Sequence, residues 1–554
     1  MTARHGSESF FIEGEGLVNT QVGGRRDDEP DPITDPSAAP ISGPISGPIS
    51  GPDAAAASRL AEDVAPPFRF SRVGPKGRAV RPGLVTRLAE AMTEGGGGSA
   101  DVPAGYTYLA QFIDHDLTMD VTDVSLGEDV TPAQLLQARS PSLDLDSLYG
   151  AGPSDAESTK FYEGDGLRLR TGTTIAVGRD RAKVGHDLPR AGTGPARAKR
   201  KALIPDPRND ENLIVAQTHL ALIRFHNRVV DRQPASVPAA QRFRRARKSV
   251  TLHYQWLIRH DFLPRIVQTD VLDDVFTNGR KLVEPTALPT DVPTMPVEFS
   301  VAGFRLGHSM IRPSYDWNRR FPGEAGSLDY MFEFSGMGGT LGGEVRLLSN
   351  WVADWRRMYD FPAGGHPELA GPNGVNLAQR IDSLLTDPLR NLPPSTFGGG
   401  AGIPFDDPRR NLAFRNLTRG SMLKLASGQQ MAAHLTSLGV AVAPLTETQL
   451  LRGRRGARLA SLPDNAKERL VTQTPLWFYI LREAETGNGR LRGVGARIVA
   501  ETFHRALEGS RFSILRSPGF RPRHGRDENT FEMTDLLFFA FAGKKSGINP
   551  LGGR

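Results

Sequence analysis

Cysteine is absent from the 554 residues of this chain. Disulfide bonds, iron–sulfur clusters, thiolate metal ligands and cysteine nucleophiles are therefore excluded, and any bound iron must be held by nitrogen or oxygen. Charge of one sign is also scarce, because 68 Lys and Arg residues against 62 Asp and Glu residues give a formal net charge of only +6. Such a small surplus on a large surface does not indicate a nucleic-acid partner.

Long apolar runs are missing as well. The most conspicuous run, residues 536–543 (LLFFAFAG), falls far short of the roughly 20 residues that span a bilayer. The first residues are charged and lack the apolar core of a secretory signal. We therefore expect no membrane span and no classical export, which leaves leaderless secretion and a cytoplasmic location as the two expectations.

The chain divides at a change of composition. Residues 27–57 are rich in Pro, Gly, Ser, Ala and Asp, and the sequence ISGP occurs three times between residues 41 and 52. Such a segment cannot form a packed core, so residues 1–64 are predicted to be a disordered extension that contains a flexible linker. Residues 65–554 show no second break of this kind and are predicted to form one large domain.

Helical periodicity dominates the informative segments of this domain. Residues 211–232 and 344–358 place apolar side chains at intervals of three and four with charges between them, which is typical of amphipathic helices. Alternating strand patterns are scarce. The sequence therefore predicts a mainly α fold.

A first polar motif lies at Gln111, Asp114, His115 and Asp116, within YLAQFIDHDLTMD. At about 100° per residue, Gln111 and His115 share a helix face with Asp114 beside them, whereas Asp116 points roughly 160° away from Asp114. One helix could thus offer Gln, Asp and His to one ligand and a second carboxylate to another. Taken alone, a buried or surface polar cluster explains the motif equally well.

A second motif alternates oxygen-bearing side chains at Ser140, Ser142, Asp144 and Asp146. Oxygen ligands at every second position of a loop suit Ca²⁺, which takes six to eight of them, although the EF-hand pattern is absent. The alternative is an Asx turn that caps the next helix.

Two further motifs carry Arg208 with Glu211, and Arg305 with His308; Asn416 and Arg419 follow about a hundred residues later. In isolation, the first pair could be a surface ion pair one helical turn apart. A lone histidine in an apolar helix is usually a core residue with a hydrogen-bond partner.

Together, and in this order, these motifs resemble those of the animal-type, myeloperoxidase-like haem peroxidases. The resemblance covers roughly residue 64 to the end of the chain and depends on five separate short motifs that agree in residue type and spacing. It implies a large, mainly α, single-domain fold with haem b buried between central helices and little β structure. The cysteine-free composition would suit a bacterial member of the family.

The resemblance implies an activity and a distal site. The chain is expected to reduce hydrogen peroxide and to oxidise a halide, a pseudohalide or a small organic donor. In that family's pattern, His115 is the distal acid and base, Gln111 lines the distal pocket, and Arg208 stabilises the charge that develops as the O–O bond breaks.

The resemblance also implies how the haem is held. His308 corresponds to the proximal iron ligand, and Asn416 to the asparagine that accepts a hydrogen bond from its other ring nitrogen. Arg305 and Arg419 would pair with the haem propionates. Carboxylates that form ester bonds to the haem are matched by Asp114 and Glu211.

Asn212 follows Glu211 at the place where some mammalian members have a methionine that makes a third covalent bond, so that bond is not expected here. The family's calcium site corresponds to a set of oxygen-bearing residues in which Ser142 acts through its backbone carbonyl. These residues are Asp116, Ser140, Ser142, Asp144 and Asp146.

Three alternatives stay open at this point. Fatty-acid-oxygenating relatives have a radical-forming tyrosine three residues before the proximal histidine, where this chain has Arg305, and Tyr315 is no obvious replacement. The His115–Asp116 dipeptide also occurs in metal-dependent HD-type phosphohydrolases, which need further histidine ligands. Candidates for those ligands are His219, His226, His253 and His260. The third alternative is a non-catalytic adhesion protein that keeps the peroxidase fold.

Overall fold

A computed structural model describes the chain over residues 9–12, 16–19, 68–95, 97–122, 124–392, 404 and 406–553. Within the predicted extension, Ser9–Ile12 (β1) and Gly16–Asn19 (β2) pair as an antiparallel hairpin. The apolar residues of the two short segments are the local signal for the pairing. The rest of the predicted extension, including its ISGP repeats, lies outside the described residues.

Helices are the main elements of the described chain, joined by long irregular segments. In chain order they are α1 (Pro82–Met92), α2 (Gly105–Leu117), α3 (Asp146–Tyr149), α4 (Ala196–Arg200), α5 (Leu213–Asp231), α6 (Ala239–Leu257), α7 (Leu263–Ile266), α8 (Thr269–Asn278), α9 (Val297–Val301), α10 (Gly307–Met310), α11 (Leu328–Glu333), α12 (Leu412–Met422), α13 (Gly428–Ser437), α14 (Glu447–Arg452), α15 (Asp464–Thr472), α16 (Leu476–Thr486), α17 (Gly493–Gly509), α18 (Met533–Ala540) and α19 (Lys545–Ile548).

Strands are short and pair only in twos among the residues that the structure describes. After the β1–β2 hairpin they are β3 (Phe70–Ser71), β4 (Ser99–Pro103), β5 (Gly172–Thr173), β6 (Val184–Asp187), β7 (Met295–Pro296), β8 (Ser314–Tyr315), β9 (Gly326–Ser327) and β10 (Leu377–Gln379). The pairs β4–β10, β5–β6 and β8–β9 are antiparallel, and β3–β7 is parallel. The predicted mainly α class is therefore confirmed.

Of the two amphipathic helices that the sequence predicts, one forms and the prediction of the other is wrong. The pattern at residues 211–232 forms α5, but residues 344–358 contain only two short 3₁₀ turns, Ser349–Trp351 and Trp355–Arg357. Other parts of the chain take the backbone groups that a helix would need. The Trp317 indole donates to the Trp351 carbonyl at 2.9 Å, and the Ser349 amide donates to Ile175 O at 2.7 Å. Tertiary hydrogen bonds here override the local helical periodicity.

Helix α2 lies at the centre of the molecule, and every one of its residues is buried. It packs against α5, which packs in turn against α6, and the short helix α10 contacts α2. The first residue of α2, Gly105, lets the Tyr359 ring pack closely against the helix. A Cβ at Gly105 would lie 2.3 Å from the Tyr359 ring, so only glycine fits there.

No helix in the described part of the chain is both long enough and apolar enough to cross a membrane.

Candidate active site

His115 lies near the C-terminal end of α2 and is fully buried. Its Nδ1 lies 2.9 Å from Asn209 Oδ1, whereas Nε2 has no hydrogen-bond partner among the described residues. With Asn209 Oδ1 as the acceptor, Nδ1 is the donor and Nε2 carries the lone pair. Glu211 Oε1 lies 3.7 Å from Nε2. Burial, reinforced by the positive charge of Arg208, lowers the pKa of His115 to about 3. The imidazole is thus neutral and available as a base.

Arg208 reaches the same region from the 3₁₀ turn Pro207–Asp210 and is also fully buried. Asp206 holds it through Nε at 3.0 Å and Nη2 at 2.7 Å. Nη2 also donates to the His115 carbonyl at 3.0 Å and the Thr118 carbonyl at 2.6 Å, which ties the guanidinium to the end of α2. Its Nη1 has no partner in the described chain and is left for a ligand.

A hydrogen-bonded bridge joins α2 to the start of α5. Gln111 Nε2 donates to Glu211 Oε1 at 2.6 Å and Gln111 Oε1 accepts from Asn212 Nδ2 at 2.9 Å. Asn212 also caps α5, because its Oδ1 accepts from the Val215 amide at 2.9 Å. The asparagine that takes the place of methionine therefore orients Gln111 and starts the helix.

The two aspartates of the first motif serve different sides of α2, as the helical geometry predicts. Asp114 Oδ1 accepts from the Thr118 hydroxyl at 3.3 Å, and its buried Oδ2 has no partner in the described residues. Burial raises the pKa of Asp114 to about 6, although Arg305 and Arg208 oppose the shift. Asp116 instead accepts from the Leu145 and Ser147 amides, both at 3.1 Å, at the start of α3.

Three of the residues predicted to bind calcium, Asp116, Asp144 and Asp146, lie around that same helix start. Burial raises the pKa of Asp116 to about 7, with the nearby charge of Asp146 adding to the shift. Asp144 accepts from the Arg511 amide at 2.9 Å, and burial, with Asp146 adding to it, raises its pKa to about 6. Ser140 and Ser142 are buried beside this segment.

Within the described residues, no group of three or more His, Asp or Glu side chains forms a metal cage by itself. A cation at this place would therefore also need the hydroxyl and carbonyl oxygens of the loop. The predicted calcium site stays a prediction.

His308 lies on α10 and is 2% exposed. Asn416 on α12 contacts it, with Nδ2 2.6 Å from His308 Nδ1, and the Trp477 ring meets it edge to face at 6.3 Å. The predicted role requires Asn416 to accept a proton from Nδ1, so its amide oxygen must face the ring. The structure instead presents Nδ2, a donor, to the ring, and a half-turn of the amide would bring Oδ1 to the same place.

The two arginines assigned to the propionates differ in their surroundings. Arg305 is buried close to Asp114, and its positive charge opposes the rise in the pKa of that carboxyl group. The Arg305 carbonyl accepts a hydrogen bond from the Trp477 indole at 3.3 Å. Arg419 forms an ion pair with Asp120. A guanidinium has five N–H donors, so this ion pair leaves Arg419 able to bind a second carboxylate.

Two residues that the sequence analysis did not single out are central to the site. Asn209 sets the tautomer of His115, and Asp206 holds both Arg208 and Arg139, the latter at 2.5 Å. Asp206 is also the N-cap of the 3₁₀ turn, since it accepts from the Arg208 amide at 3.1 Å. The Asp-Pro pair that begins the turn was the available signal for this residue.

Residues 111–398 match the family model of the animal haem peroxidases, which covers just over half of the chain. The chain belongs to this family. Among curated relatives, a peroxidase-like protein of Margaritifera margaritifera is 25% identical over 39% of this chain, and thyroid peroxidase of Mus musculus is 27% identical over 33% of it. The matched stretches span only 26% and 20% of those two proteins.

Solved structures agree on the fold. Peroxidase A from Dictyostelium discoideum has a TM-score of 0.55 at 14% identity and covers 87% of this chain and 94% of its own. The fatty acid α-dioxygenase of Arabidopsis thaliana has a TM-score of 0.53 at 13% identity and covers 87% of this chain and 76% of its own. At such identities the likeness shows the architecture, which peroxidases and dioxygenases share.

Replacing Asp206 should destabilise the protein strongly, because it would leave two buried guanidinium groups without their carboxylate. We expect Asp206→Asn to lower the free energy of unfolding by about 3 kcal/mol. Denaturant unfolding of the wild type and the variant measures this loss of stability. The control is Asp165→Asn, which removes a partly exposed partner of Arg168 and should cost at most about 1 kcal/mol. Equal losses in the two variants would contradict the role given to Asp206.

Proposed function

We propose that this chain is a haem-dependent peroxidase that reduces hydrogen peroxide and oxidises a halide, a pseudohalide or a small organic donor. One observation carries the proposal: a neutral, fully buried His115 has a free Nε2, and a buried Arg208 beside it keeps one Nη without a partner in the described chain. A buried neutral base beside a buried cation can transfer a proton and stabilise the negative charge on a departing oxygen.

The residues present fit a haem. Burying polar atoms without partners is costly, yet His115 Nε2, Arg208 Nη1 and Asp114 Oδ2 are all buried and unpartnered within the described residues. Across the site, His308 would hold the iron and Asn416 would orient its ring. When bound, the haem supplies the iron that takes up peroxide and the electrons that reduce it.

In this proposal the side chains transfer a proton and stabilise the charge that develops on oxygen. His115 accepts a proton from the peroxide at Nε2 and returns it to the outer oxygen, which leaves as water. Asn209 keeps Nδ1 protonated throughout, so the acceptor is always Nε2. Arg208 stabilises negative charge on the departing oxygen, and the fixed geometry from Asp206 requires no reorganisation during the step.

Covalent attachment of the haem belongs to the same proposal. Asp114 lies on the same helix as Gln111, and Glu211 accepts a hydrogen bond from that glutamine. The raised pKa of Asp114 keeps part of its carboxyl group protonated near neutral pH, in a pocket that water does not reach. These features support the proposal that both carboxyl groups form ester bonds with a bound haem.

The dioxygenase alternative lacks its hydrogen-abstracting residue. Arg305 stands three residues before His308, and Tyr315 is held by Tyr108 through a 2.7 Å hydrogen bond between their hydroxyls. The phosphohydrolase alternative also loses support, because His226 binds Tyr149 and the Leu167 carbonyl, and His253 binds the Ser249 carbonyl and the Arg523 amide. These histidines have structural partners and do not form a metal set.

Absorption spectra test the haem and its ligand. Protein produced with haem should show a Soret band that shifts with peroxide and resists extraction into acidified organic solvent. His308→Ala should lose or strongly alter that band, whereas His434→Ala, on α13, should leave it unchanged. Wild-type protein without a Soret band would overturn the haem proposal. Haem-loaded protein that turns over no donor would favour the adhesion alternative, and oxygen uptake with palmitate would favour the dioxygenase.

The pH dependence of the reaction with peroxide tests His115. Because its pKa is about 3, the imidazole gains a proton only as the pH falls through that value. Stopped-flow measurement of the Soret change should give a rate constant that is flat from about pH 5 to pH 8 and falls near pH 3. A midpoint near 6.5, the value of an ordinary histidine, would contradict the assignment. His115→Gln should lower the rate about 10²-fold or more.

A calcium ion at the start of α3 is the finer part of the cofactor proposal. Asp146 raises the pKa values of the buried Asp116 and the partly buried Asp144 there, and a divalent cation would remove that repulsion. Calcium added to chelated protein should raise the thermal midpoint by several degrees. Asp144→Asn should abolish the increase and Asp165→Asn should retain it. A midpoint that does not respond to calcium would refute the site.

A further inference from the structure

The 3₁₀ turn Pro207–Asp210 is anchored at both ends. Asp210, its last residue, is 1% exposed and forms an ion pair with Arg190. Its Oδ1 also accepts from the Gly336 amide at 3.2 Å, and its carbonyl accepts from the Met337 amide at 3.0 Å. Two distant parts of the chain therefore meet at the end of the turn.

Arg190 lies between two buried carboxylates. Its Nη2 donates to Asp187 Oδ1 at 2.8 Å, and its Nη1 donates to Asp210 Oδ2. Nη1 also donates to the Arg200 carbonyl at 3.0 Å. Asp187, the last residue of β6, is itself fixed, because its Oδ2 accepts from the Leu347 amide at 2.8 Å. Each of the three charged side chains is at most 4% exposed, so Arg190 joins the turn to β6 inside the protein.

Glycines pack directly behind this anchor. A Cβ at Gly336 would lie 2.7 Å from the Arg200 carbonyl oxygen and closer still to Arg190 Nη1. A Cβ at Gly338 would overlap the carbonyl oxygen of Glu211, the residue after the turn. Only glycine lets a backbone segment come this close. A shift of the turn in this direction would therefore require the glycine segment to move as well.

The charges at the two ends of the turn are complementary. At Asp206, two arginines share one carboxylate, whereas at Arg190 two carboxylates share one arginine. A buried ion pair often stabilises a fold no more than apolar residues of the same size would. It does, however, hold its partners at hydrogen-bond distances and angles. We therefore expect the two networks to fix the position of the turn.

We propose that Arg190 is a positioning residue for the reaction with peroxide: through Asp210 it fixes the turn that carries Arg208. The same turn carries Asn209, which orients His115, so both parts of the distal site depend on it. Arg190 acts through the turn, since its own hydrogen bonds end on that turn, on β6 and on a backbone carbonyl. A catalytic group displaced by about 1 Å can lose about 10²-fold in rate. The inference rests on the proposed peroxidase function and adds a support for its site.

Asp210→Asn tests the proposal with little change of shape. The variant loses the ion pair with Arg190, which keeps Asp187, while the amide oxygen can still accept from the Gly336 amide. In stopped-flow measurements on haem-loaded protein, the rate constant with peroxide should fall about tenfold to 10²-fold. Cyanide is a second probe that involves no turnover, because hydrogen cyanide gives up a proton as it binds iron. Its binding rate should fall by a similar factor, because His115 is displaced as well.

The matched control is Asp316→Asn. Asp316 and Asp354 share the buried Arg357 in a network of the same composition. This network lies towards the opposite end of α2 from His115, because the carbonyl of the residue after Arg357 accepts from the Gly105 amide. We expect the control variant to change the peroxide and cyanide rates less than about twofold. Denaturant unfolding of both variants shows whether stability alone explains a difference in rate.

Hydrogen exchange of the haem-free protein tests the anchor without any reaction. Amides of the turn and of the residue after it are hydrogen-bonded; the Glu211 amide, for example, donates to the Arg208 carbonyl at 3.1 Å. In Asp210→Asn, a peptide covering residues 207–212 should exchange about tenfold faster than in the wild type, and in Asp316→Asn it should not. A wild type that does not react with peroxide would defeat the proposed function, whereas unchanged rates in Asp210→Asn alone would defeat only this inference.

Three outcomes would overturn the proposal. These are equal effects of Asp210→Asn and Asp316→Asn on the two rates, a wild-type peroxide rate in Asp210→Asn, or unchanged exchange of the turn in that variant. If Asp210→Asn does not fold, Arg190→Lys takes its place, because lysine keeps the charge but has one nitrogen, which cannot span both carboxylates. Its peroxide rate should fall about fivefold. A folded Arg190→Lys with the wild-type rate would equally refute the role of Arg190.

Discussion

The ion pair between Asp206 and Arg208 is the interaction on which the distal half of the site depends. Both side chains are fully buried, and Asp206 also takes Arg139. Although burial disfavours a charged carboxyl group, the two arginines lower the pKa of Asp206 well below its usual range. With this anion in place, the guanidinium can bind the end of α2 and still keep one Nη for a ligand. A buried arginine without such a partner would be too costly to maintain.

The same ion pair explains the state of His115. A positive charge beside a buried imidazole disfavours its protonation, so Arg208 assists burial in keeping the base neutral. Asn209, one residue further along the 3₁₀ turn, then selects the tautomer. One short turn therefore supplies the cation and the residue that orients the base, and Glu211, directly after the turn, adds a carboxylate that contacts Gln111. Cation, base and carboxylate are fixed relative to one another because they share this turn and one helix.

Membership of the animal haem peroxidase family fixes the architecture more firmly than the reaction. Peroxidase A and the α-dioxygenase superimpose on this chain about equally well, with TM-scores of 0.55 and 0.53. Individual side chains favour a peroxidase, chiefly His115, whose Nε2 has no hydrogen-bond partner among the described residues, and the arginine at position 305. Fold and chemistry are separable here, because a few residues at the centre of a shared helical framework decide which reaction it supports.

The sequence by itself determined the helical class, helix α5, and the residue types of the site, since periodicity and short motifs are local properties. It also predicted that Asp114 and Asp116 point to different sides of α2, because that follows from the 100° step of a helix. It misjudged residues 344–358, where Trp317 and Ile175 supply hydrogen bonds from far along the chain. Only the tertiary structure revealed that Asn209 orients His115 and that Asp206 holds Arg139 together with Arg208. The contacts of Asn209 with His115 and of Asp206 with Arg139 join residues 94 and 67 positions apart. Contacts over such separations leave no local pattern to read; they are decided by how the helices pack.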